Sequence, residues 1–390
     1  MSDRKAVSRR TFLNTSVAVT SAVALSGSRA QAARPQSQPE KFVNPPDEKV
    51  DVRVGIIGTG GRGTGVMEGF YKVPGVRITA LCDINKPRLE AAATQVADDK
   101  PSLFDDYRKL IDYPELDAIA VETPCYLHRE MGIAVLESGR HLYAEKPMAI
   151  TVAEANAIHA AARKAKGIYQ IGTQLRYADP WQTAIRMIHE GGIIGDVVFI
   201  RAHRHNIQDL PHESTWFFKR ELSGDTIVEQ AVHEFDLMNQ VMGGVPVRAA
   251  GFGGQNVKFD PPGRDIRDHY GLELDYGQGR VVSYSHSWIA PPHVPCDGRR
   301  ELVYGSKGAI DLETGQLYLQ GSERPKTIEF KKTSDATLAA VRDFVRCIRE
   351  RDRPFADVEA GRDALLVALL GRKALDEGRV VTMTELLAEG

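Results

Sequence analysis

Cysteine is scarce in this chain. There are four, at positions 82, 125, 296 and 347, and no two stand in C-x-x-C spacing. That excludes a disulfide framework and a zinc knuckle, and it suits a protein that folds in a reducing compartment. Basic blocks are lacking after residue 10, and the formal net charge is −2, so nucleic acid is not an expected partner. Metal-ligand spacing is lacking too. His203 and His205 stand as H-x-H and would share a face if "VVFIRAHRH" is a strand. No H-x-x-x-H or H-x-x-E pattern joins them to His212 or His293, and no metal is expected.

What is present begins with a three-part N-terminus. Arg4, Lys5, Arg9 and Arg10 form a basic part, and Val17 to Leu25 form a mildly apolar run interrupted by Ser and Thr. That run is too short and too polar to span a bilayer. Ala30-Gln31-Ala32 offers a small-residue cleavage site, as secretory signals do. "SRRTFL" (8–13) is similar to the S-R-R-x-F-L signal of the twin-arginine route, which exports proteins already folded. The order of the three parts favours export over a plain basic tail. The expectation is a signal over 1–32, a Pro- and Gln-rich linker over 33–49, and a periplasmic or otherwise exported protein. About 340 residues remain, enough for two domains or one large one, and 42% of the chain is hydrophobic, enough for a full core.

The mature chain opens with "DVRVGII" (51–57), a short β-branched run that reads as a buried parallel strand. It runs into G-T-G-G-R-G, with Gly58, Gly60 and Gly63 in G-x-G-x-x-G spacing, and then into "TGVMEGFYKV", apolar at helical spacing. Glycines at a strand-to-helix turn let a backbone approach a pyrophosphate, whose charge the helix N-terminus receives. A second strand, "VRITALCD" (76–83), ends in Asp83, 20 residues past Gly63, where an acid bonds an adenosine ribose and favours NAD over NADP. Arg62 and Arg88 keep NADP possible. Strands over 116–124, 140–147 and 168–174 alternate with helices over 128–139 and 151–167. This is the pattern of a doubly wound parallel sheet, with ligand at the carboxyl ends of its strands.

The second half reads differently. "SGDTIVEQAVHEFDLMNQVMGG" (223–244) is expected to be one helix, with Glu229, His233 and Asp236 at i, i+4 and i+7 on a polar stripe. Strand-like runs follow at 247–254, 269–277, 281–289, 300–312 and 316–321, parted by Gly and Pro turns, as in an antiparallel sheet. A closing helix is expected over 335–351.

In this order, "GIIGTGGRG", "ALCDIN", "TPCYLH", "AEKPMAIT", "GTQLRY", "GDVV" and "VEQAVHEFD" resemble the glucose–fructose oxidoreductase / inositol dehydrogenase / MocA family, over roughly residues 51–375. The resemblance implies an α/β protein: an N-terminal Rossmann doubly wound parallel sheet, here 50–174, then a substrate-binding α/β domain with a large, mostly antiparallel sheet, here 175–390, often a homo-oligomer. It implies nucleotide contacts at Gly58, Thr59, Gly60, Gly61, Arg62, Gly63, Asp83, Thr123, Pro124, His128, Glu145 and Lys146. Lys146, in E-K-P, matches the family's catalytic lysine. Members that oxidise inositol carry Asp where this chain has Glu229.

Oxidising an alcohol needs a base for the hydroxyl proton while the nicotinamide takes the hydride. The expected constellation is Lys146, His233 and Glu229, the carboxylate orienting the imidazole one helical turn on. Arg176, Tyr177, Trp216, His286 and Trp288 are candidate sugar contacts. Export of a folded nucleotide enzyme implies tightly bound NAD, or NADP, regenerated in place. The expected activity is an NAD(P)-dependent oxidoreductase acting on a hydroxyl or carbonyl of a sugar, polyol or glycoside. Its partners are a carbohydrate and the twin-arginine machinery. One alternative is the family's redox-neutral, NAD-dependent glycoside hydrolysis, although in those hydrolases the E-K-P lysine is replaced. Another is a non-catalytic nucleotide-bound sensor or scaffold.

Overall fold

The computed structural model of the chain describes residues 50–206, 215–291, 298–329 and 335–390. The expected signal and linker, together with His212, His293 and Cys296, lie outside the described residues.

Short apolar segments form the first sheet: β1 (Val52–Ile57), β2 (Val76–Cys82), β3 (Ser102–Phe104), β4 (Ala118–Val121), β5 (His141–Glu145) and β6 (Tyr169–Gly172). Their order is β3-β2-β1-β4-β5-β6, every pair parallel. The four central strands are almost wholly buried, as a sheet covered by helices on both faces requires. Those helices are α1 (Gly61–Tyr71), α2 (Lys86–Gln95), α3 (Tyr107–Ile111), α4 (His128–Glu137) and α5 (Val152–Lys164). Asn85 and Thr151 cap α2 and α5 by accepting from the backbone N–H of Arg88 and Glu154. Strand order reverses between β1 and β4, so the crevice at their carboxyl ends is where a ligand of this fold sits.

After α6 (Asp179–His189) the chain enters a second sheet with β7 (Val197–His205). Three helices intervene: α7 (Arg220–Ser223), α8 (Thr226–Glu229) and α9 (Val232–Met242). The sheet then adds β8 (Arg248–Gly254), β9 (His269–Asp275), β10 (Val281–Ser287), β11 (Gly298–Gly305), β12 (Gly308–Asp311), β13 (Gln316–Leu319) and β14 (Lys326–Thr327). Near the C-terminus β15 (Val381–Thr382) completes nine strands among the described residues, in the order β14-β13-β12-β11-β7-β10-β9-β8-β15. One pair, β7–β10, is parallel and the rest are antiparallel.

The single helix expected over 223–244 is broken. Gly224 and Asp225 both adopt left-handed φ, +81° and +83°, which delays the start to Thr226. Asp225 tolerates this because its buried carboxylate accepts from the backbone N–H of Thr226 at 2.7 Å and of Arg267 at 2.8 Å, with the Arg267 guanidinium beside it. A second interruption at Gln230–Ala231 separates α8 from α9. Nor does the chain close at residue 351. The helix α10 (Ala336–Glu350) is followed by α11 (Val358–Glu377) and α12 (Met383–Leu387). Phe344 of α10 packs edge-on against Phe70 and Tyr143, at centroid distances of 6.0 and 5.7 Å, and so belongs to the core of the first sheet. α11 runs through the larger core. Its Gly371 leaves room for Ile227 and Leu272, which a Cβ would meet at 2.8 and 3.0 Å.

Candidate active site

At the carboxyl ends of β1 and β4 the two backbones nearly touch. A Cβ on Gly58 (φ +93°) would lie 2.7 Å from the Glu122 carbonyl oxygen, and one on Gly63 would lie 1.9 Å from the Gly58 oxygen. The first and third glycines therefore permit the turn and the close approach of α1 to β1. Gly60 and Gly61 face open space, where a Cβ meets nothing nearer than 4.0 Å. α1 starts there with no side-chain cap, so its first N–H groups are left for a ligand. A cradle that excludes side chains and presents uncapped N–H groups fits a pyrophosphate.

This cradle forms one wall of a cavity of about 1020 Å³. Gly58, Gly60, Gly61, Arg62, Asp83, Thr123, Pro124, Glu145, Lys146, Trp216 and Glu229 all line it, although they lie far apart in the sequence. Thr59, Gly63 and His128 stand behind the lining. Thr59 donates through its N–H and its hydroxyl to Asp83 Oδ2, at 2.8 and 3.0 Å, while Asn85 N–H donates to Asp83 Oδ1 at 2.7 Å. Both Asp83 oxygens are thus held in place by the protein's own donors. The buried His128 ring lies between the carbonyl oxygens of Thr123 (2.8 Å) and Pro147 (2.6 Å), tying the ends of β4 and β5 together. Burial holds its pKa below the usual imidazole value.

Arg62 turns away from the ribose end, and its Nε donates to Glu145 at 2.5 Å. Glu145 also accepts from Gln174 Nε2 at 2.7 Å and from Lys146 N–H at 2.8 Å. Arg88 remains beside the cradle, lining the same cavity.

Lys146 projects from the end of β5. Its Nζ donates to Glu229 Oε1 at 2.6 Å and to the Glu229 carbonyl oxygen at 2.8 Å. Burial works to lower the lysine's pKa, but the carboxylates of Glu229 and Glu145 outweigh it and the pKa ends up raised. Lys146 is therefore an ammonium at neutral pH, a hydrogen-bond donor rather than a base.

The expected Glu229–His233 pairing is not made. Glu229 ends α8 and His233 lies in α9, and Glu229 pairs with Lys146 and Gln230 instead. His233 lines a second cavity of about 360 Å³, with Gln174, Leu175, Arg204, Asn206, Gly298 and Arg299. Its Nδ1 is buried without a partner among the described residues. Burial first, then the charges of Lys146 and Arg204, push its pKa well below 6.5, so the ring is neutral.

Four of the candidate sugar contacts line neither cavity. Arg176 forks onto Asp236, at 3.0 and 2.5 Å, and donates to the Phe355 carbonyl. Tyr177 donates to Asp343 at 2.9 Å and accepts from Ala356 N–H at 3.0 Å. His286 is buried against Tyr270 and Asn206, and Trp288 is buried beside it. Their surroundings are those of structural residues. His203 and His205 do share a strand face, their rings stacked 4.7 Å apart. Among the described residues no three His, Cys, Asp or Glu gather as a metal site would need.

Sequence reasoning passed over Glu122. It directly follows β4, just before Thr123-Pro124, and lines the larger cavity. Both its oxygens are buried without a partner among the described residues, and burial, reinforced by Glu145, holds its pKa well above 4.5. Its position at a strand end was the available signal. Arg204, Asn206 and Arg299 were also passed over. They come together only when β7 and β11 pair, which no local pattern encodes.

Residues 52–173 match the oxidoreductase family described as GFO/IDH/MocA, with an NAD-binding Rossmann fold, and residues 181–311 match the GFO/IDH/MocA C-terminal domain. Myo-inositol 2-dehydrogenase of Thermotoga maritima is 24% identical over 344 residues, 86% of this chain and 100% of that protein. A glycosyl hydrolase family 109 protein of Saccharopolyspora erythraea is 30% identical over 223 residues, 54% of this chain. That match spans about half of the hydrolase, 48% of its length. Among solved structures, the aldose-aldose oxidoreductase of Caulobacter crescentus complexed with glycerol has the same fold. It superposes with a TM-score of 0.74 at 23% identity, over 85% of this chain and 99% of that one.

Proposed function

The chain belongs to the GFO/IDH/MocA oxidoreductase family, and from that premise we propose that it moves a hydride between a bound nicotinamide nucleotide and a hydroxyl or carbonyl carbon of a sugar or polyol. One observation carries this reading. A charged lysine at the end of a nucleotide-domain strand is held at 2.6 Å by a carboxylate from the other domain, inside the cavity that the glycine cradle opens into.

NAD, when bound along Gly58–Gly63 and Asp83, supplies the hydride acceptor. Lys146 donates a hydrogen bond to the reacting oxygen and stabilises its negative charge as the C–H bond breaks. Glu229 fixes the ammonium in that position. His233, which lines the neighbouring cavity and is neutral with an unpartnered Nδ1, is the candidate acceptor of the hydroxyl proton once substrate reaches it. In the reverse direction the same groups polarise a carbonyl and return the proton. Asp83 favours NAD, since a 2′-phosphate would meet its charge.

The N-terminal "SRRTFL" supports export through the twin-arginine route, and with it a nucleotide held through the cycle and regenerated where the protein works. Slow release of the nucleotide then stabilises the fold by mass action. The likeness to glycosyl hydrolase family 109 supports a second reading, transient oxidation, elimination of the aglycone, addition of water and return of the hydride, but the presence of Lys146 weighs against it.

The test is to recover protein from the exported fraction, denature it by heat, and identify released nucleotide by absorbance and mass. Intact protein is then offered sugars, polyols and aryl glycosides. A change in nicotinamide absorbance with a sugar or polyol alone supports the oxidoreductase. Aglycone release without net change supports the hydrolase. Neither, with nucleotide bound, leaves a sensor or scaffold. Absence of nucleotide, with weak binding on add-back, rejects the retained-cofactor account.

A further inference from the structure

Arg204 of β7 and Arg299 of β11 are direct cross-strand partners, and both line the 360 Å³ cavity. Their side chains are only 24% and 25% exposed. Like charges placed directly opposite on one face of an antiparallel pair repel, and burial strengthens the repulsion.

The carboxylates nearby do not engage the pair closely. Arg204 reaches Glu234 and the Gln230 carbonyl at 3.4 Å, and Asn206 at 3.5 Å. Arg299 lies 3.7 Å from both Glu301 and Glu313, its guanidinium rests over the Trp181 ring, and its Nε is buried without a hydrogen-bond partner among the described residues. Arg176, by contrast, holds Asp236 at 2.5 and 3.0 Å. Burial also pushes the Glu301 carboxyl well above the usual range, which weakens its compensation of Arg299. The pair therefore keeps donor capacity for an anion.

The cavity offers more than charge. Asn206, Gln174 and His233 line it with the arginines, a polar set able to bond hydroxyl groups. It also adjoins the redox centre by two chains of contacts. Gln174 bonds Glu145, the residue before Lys146, and Arg204 bonds the carbonyl of Gln230, whose side chain bonds Glu229.

We propose that Arg204 and Arg299 grip the carboxylate of an acidic sugar, so that the substrate is a uronate or aldonate rather than a neutral sugar. This rests on the reading of Lys146 as the reacting centre. Planar guanidinium groups form paired hydrogen bonds to a carboxylate, and a bound anion would relieve the cross-strand repulsion.

The experiment is calorimetric titration of the nucleotide-loaded full chain with D-glucuronate, D-galacturonate, D-gluconate, D-glucose 6-phosphate, D-glucose and D-galactose. At least one sugar acid should bind about tenfold or more tighter than its neutral parent, as a charged hydrogen bond allows. In Arg299→Gln that preference should fall below about twofold. Equal binding of acids and neutral sugars by the wild-type protein overturns the proposal without any variant. So does a preference that survives in folded Arg299→Gln, and tighter binding of the sugar phosphate than of every carboxylate reassigns the site to phosphate. Affinity is read from the titration whether or not hydride transfer follows. A preference for acids with no nicotinamide change for any sugar would therefore reject the redox reading and leave the anion site standing.

Discussion

Lys146 Nζ lies 2.6 Å from Glu229 Oε1, joining the end of β5 to the end of α8 across 83 residues of sequence. The carboxylate that the helical spacing assigns to His233 is thus bound to the lysine, and the imidazole is left with an open, buried nitrogen. Under the proposed function, Lys146 would act as a charged donor, Glu229 as its anchor, and His233 as the neutral proton acceptor.

Removing the ammonium should abolish hydride transfer and spare the nucleotide. Lys146→Met is expected to slow single-turnover reduction of bound nucleotide by roughly 10²-fold or more, with nucleotide content unchanged. Glu229→Gln should cost less, because the Glu229 carbonyl still accepts from Nζ at 2.8 Å. Equal rates in Lys146→Met and wild type would remove the lysine from the mechanism.

The pH profile should report His233. A pKa pushed well below 6.5 keeps the imidazole unprotonated as the pH falls to that value, so oxidation should hold its rate from neutral pH down to 6.5 and decline only below it. His233→Gln should lower kcat by roughly 10²-fold. A decline centred at the ordinary histidine value would mean that another group takes the proton.

Glu122 should make the protein pH-sensitive in a definite direction. Its folded pKa lies well above 4.5, so between those values the folded chain holds a proton that the unfolded chain has released. Stability is then lost as pH rises above 4.5, and the cost is present at neutral pH. Glu122→Gln should raise the melting temperature of nucleotide-free protein at pH 7, and change little near pH 4. Destabilisation at neutral pH would mean that the ionised carboxylate is needed.

Arg176 is expected to act on stability. Arg176→Met leaves the buried Asp236 without its cation, with Gln240 Nε2 at 3.4 Å as its remaining donor, which costs about 3–5 kcal/mol. Denaturant unfolding measures it. A variant of wild-type stability that has lost affinity for sugars would restore Arg176 as a substrate contact.

Cofactor choice should follow Asp83. Asp83→Asn removes the charge that a 2′-phosphate would face, with Arg88 still lining the cavity. The affinity for NADP relative to NAD should rise about tenfold, or 1.4 kcal/mol, by fluorescence titration. An unchanged ratio would place the adenosine ribose elsewhere.

The first sheet was readable in the chain because each of its signals is local. A β-branched run, glycines at fixed offsets, an apolar helical period and an acid at the end of the next strand are set by neighbours within one βαβ unit. The lining set Gly58, Asp83, Thr123, Glu145 and Lys146 follows from strand ends alone, since parallel strands deliver their carboxyl ends to one edge. The stripe of Glu229, His233 and Asp236 failed for the opposite reason. Spacing says which residues share a face but not which partner wins, and Lys146, from a strand 83 residues away, takes the Glu229 carboxylate and carbonyl. Arg176 and Tyr177 look like sugar contacts by residue type, and only packing shows their bonds taken by Asp236 and Asp343.

The sequence by itself determined the class of chemistry: a nucleotide cradle, an acid for its ribose and a lysine at a strand end. Tertiary structure alone decided who partners whom, because the Lys146–Glu229 bond, the unpartnered Nδ1 of His233 and the cross-strand pairing of Arg204 with Arg299 each arise where distant segments meet. In a buried site the nearest charge, rather than the nearest neighbour in sequence, sets what a side chain does.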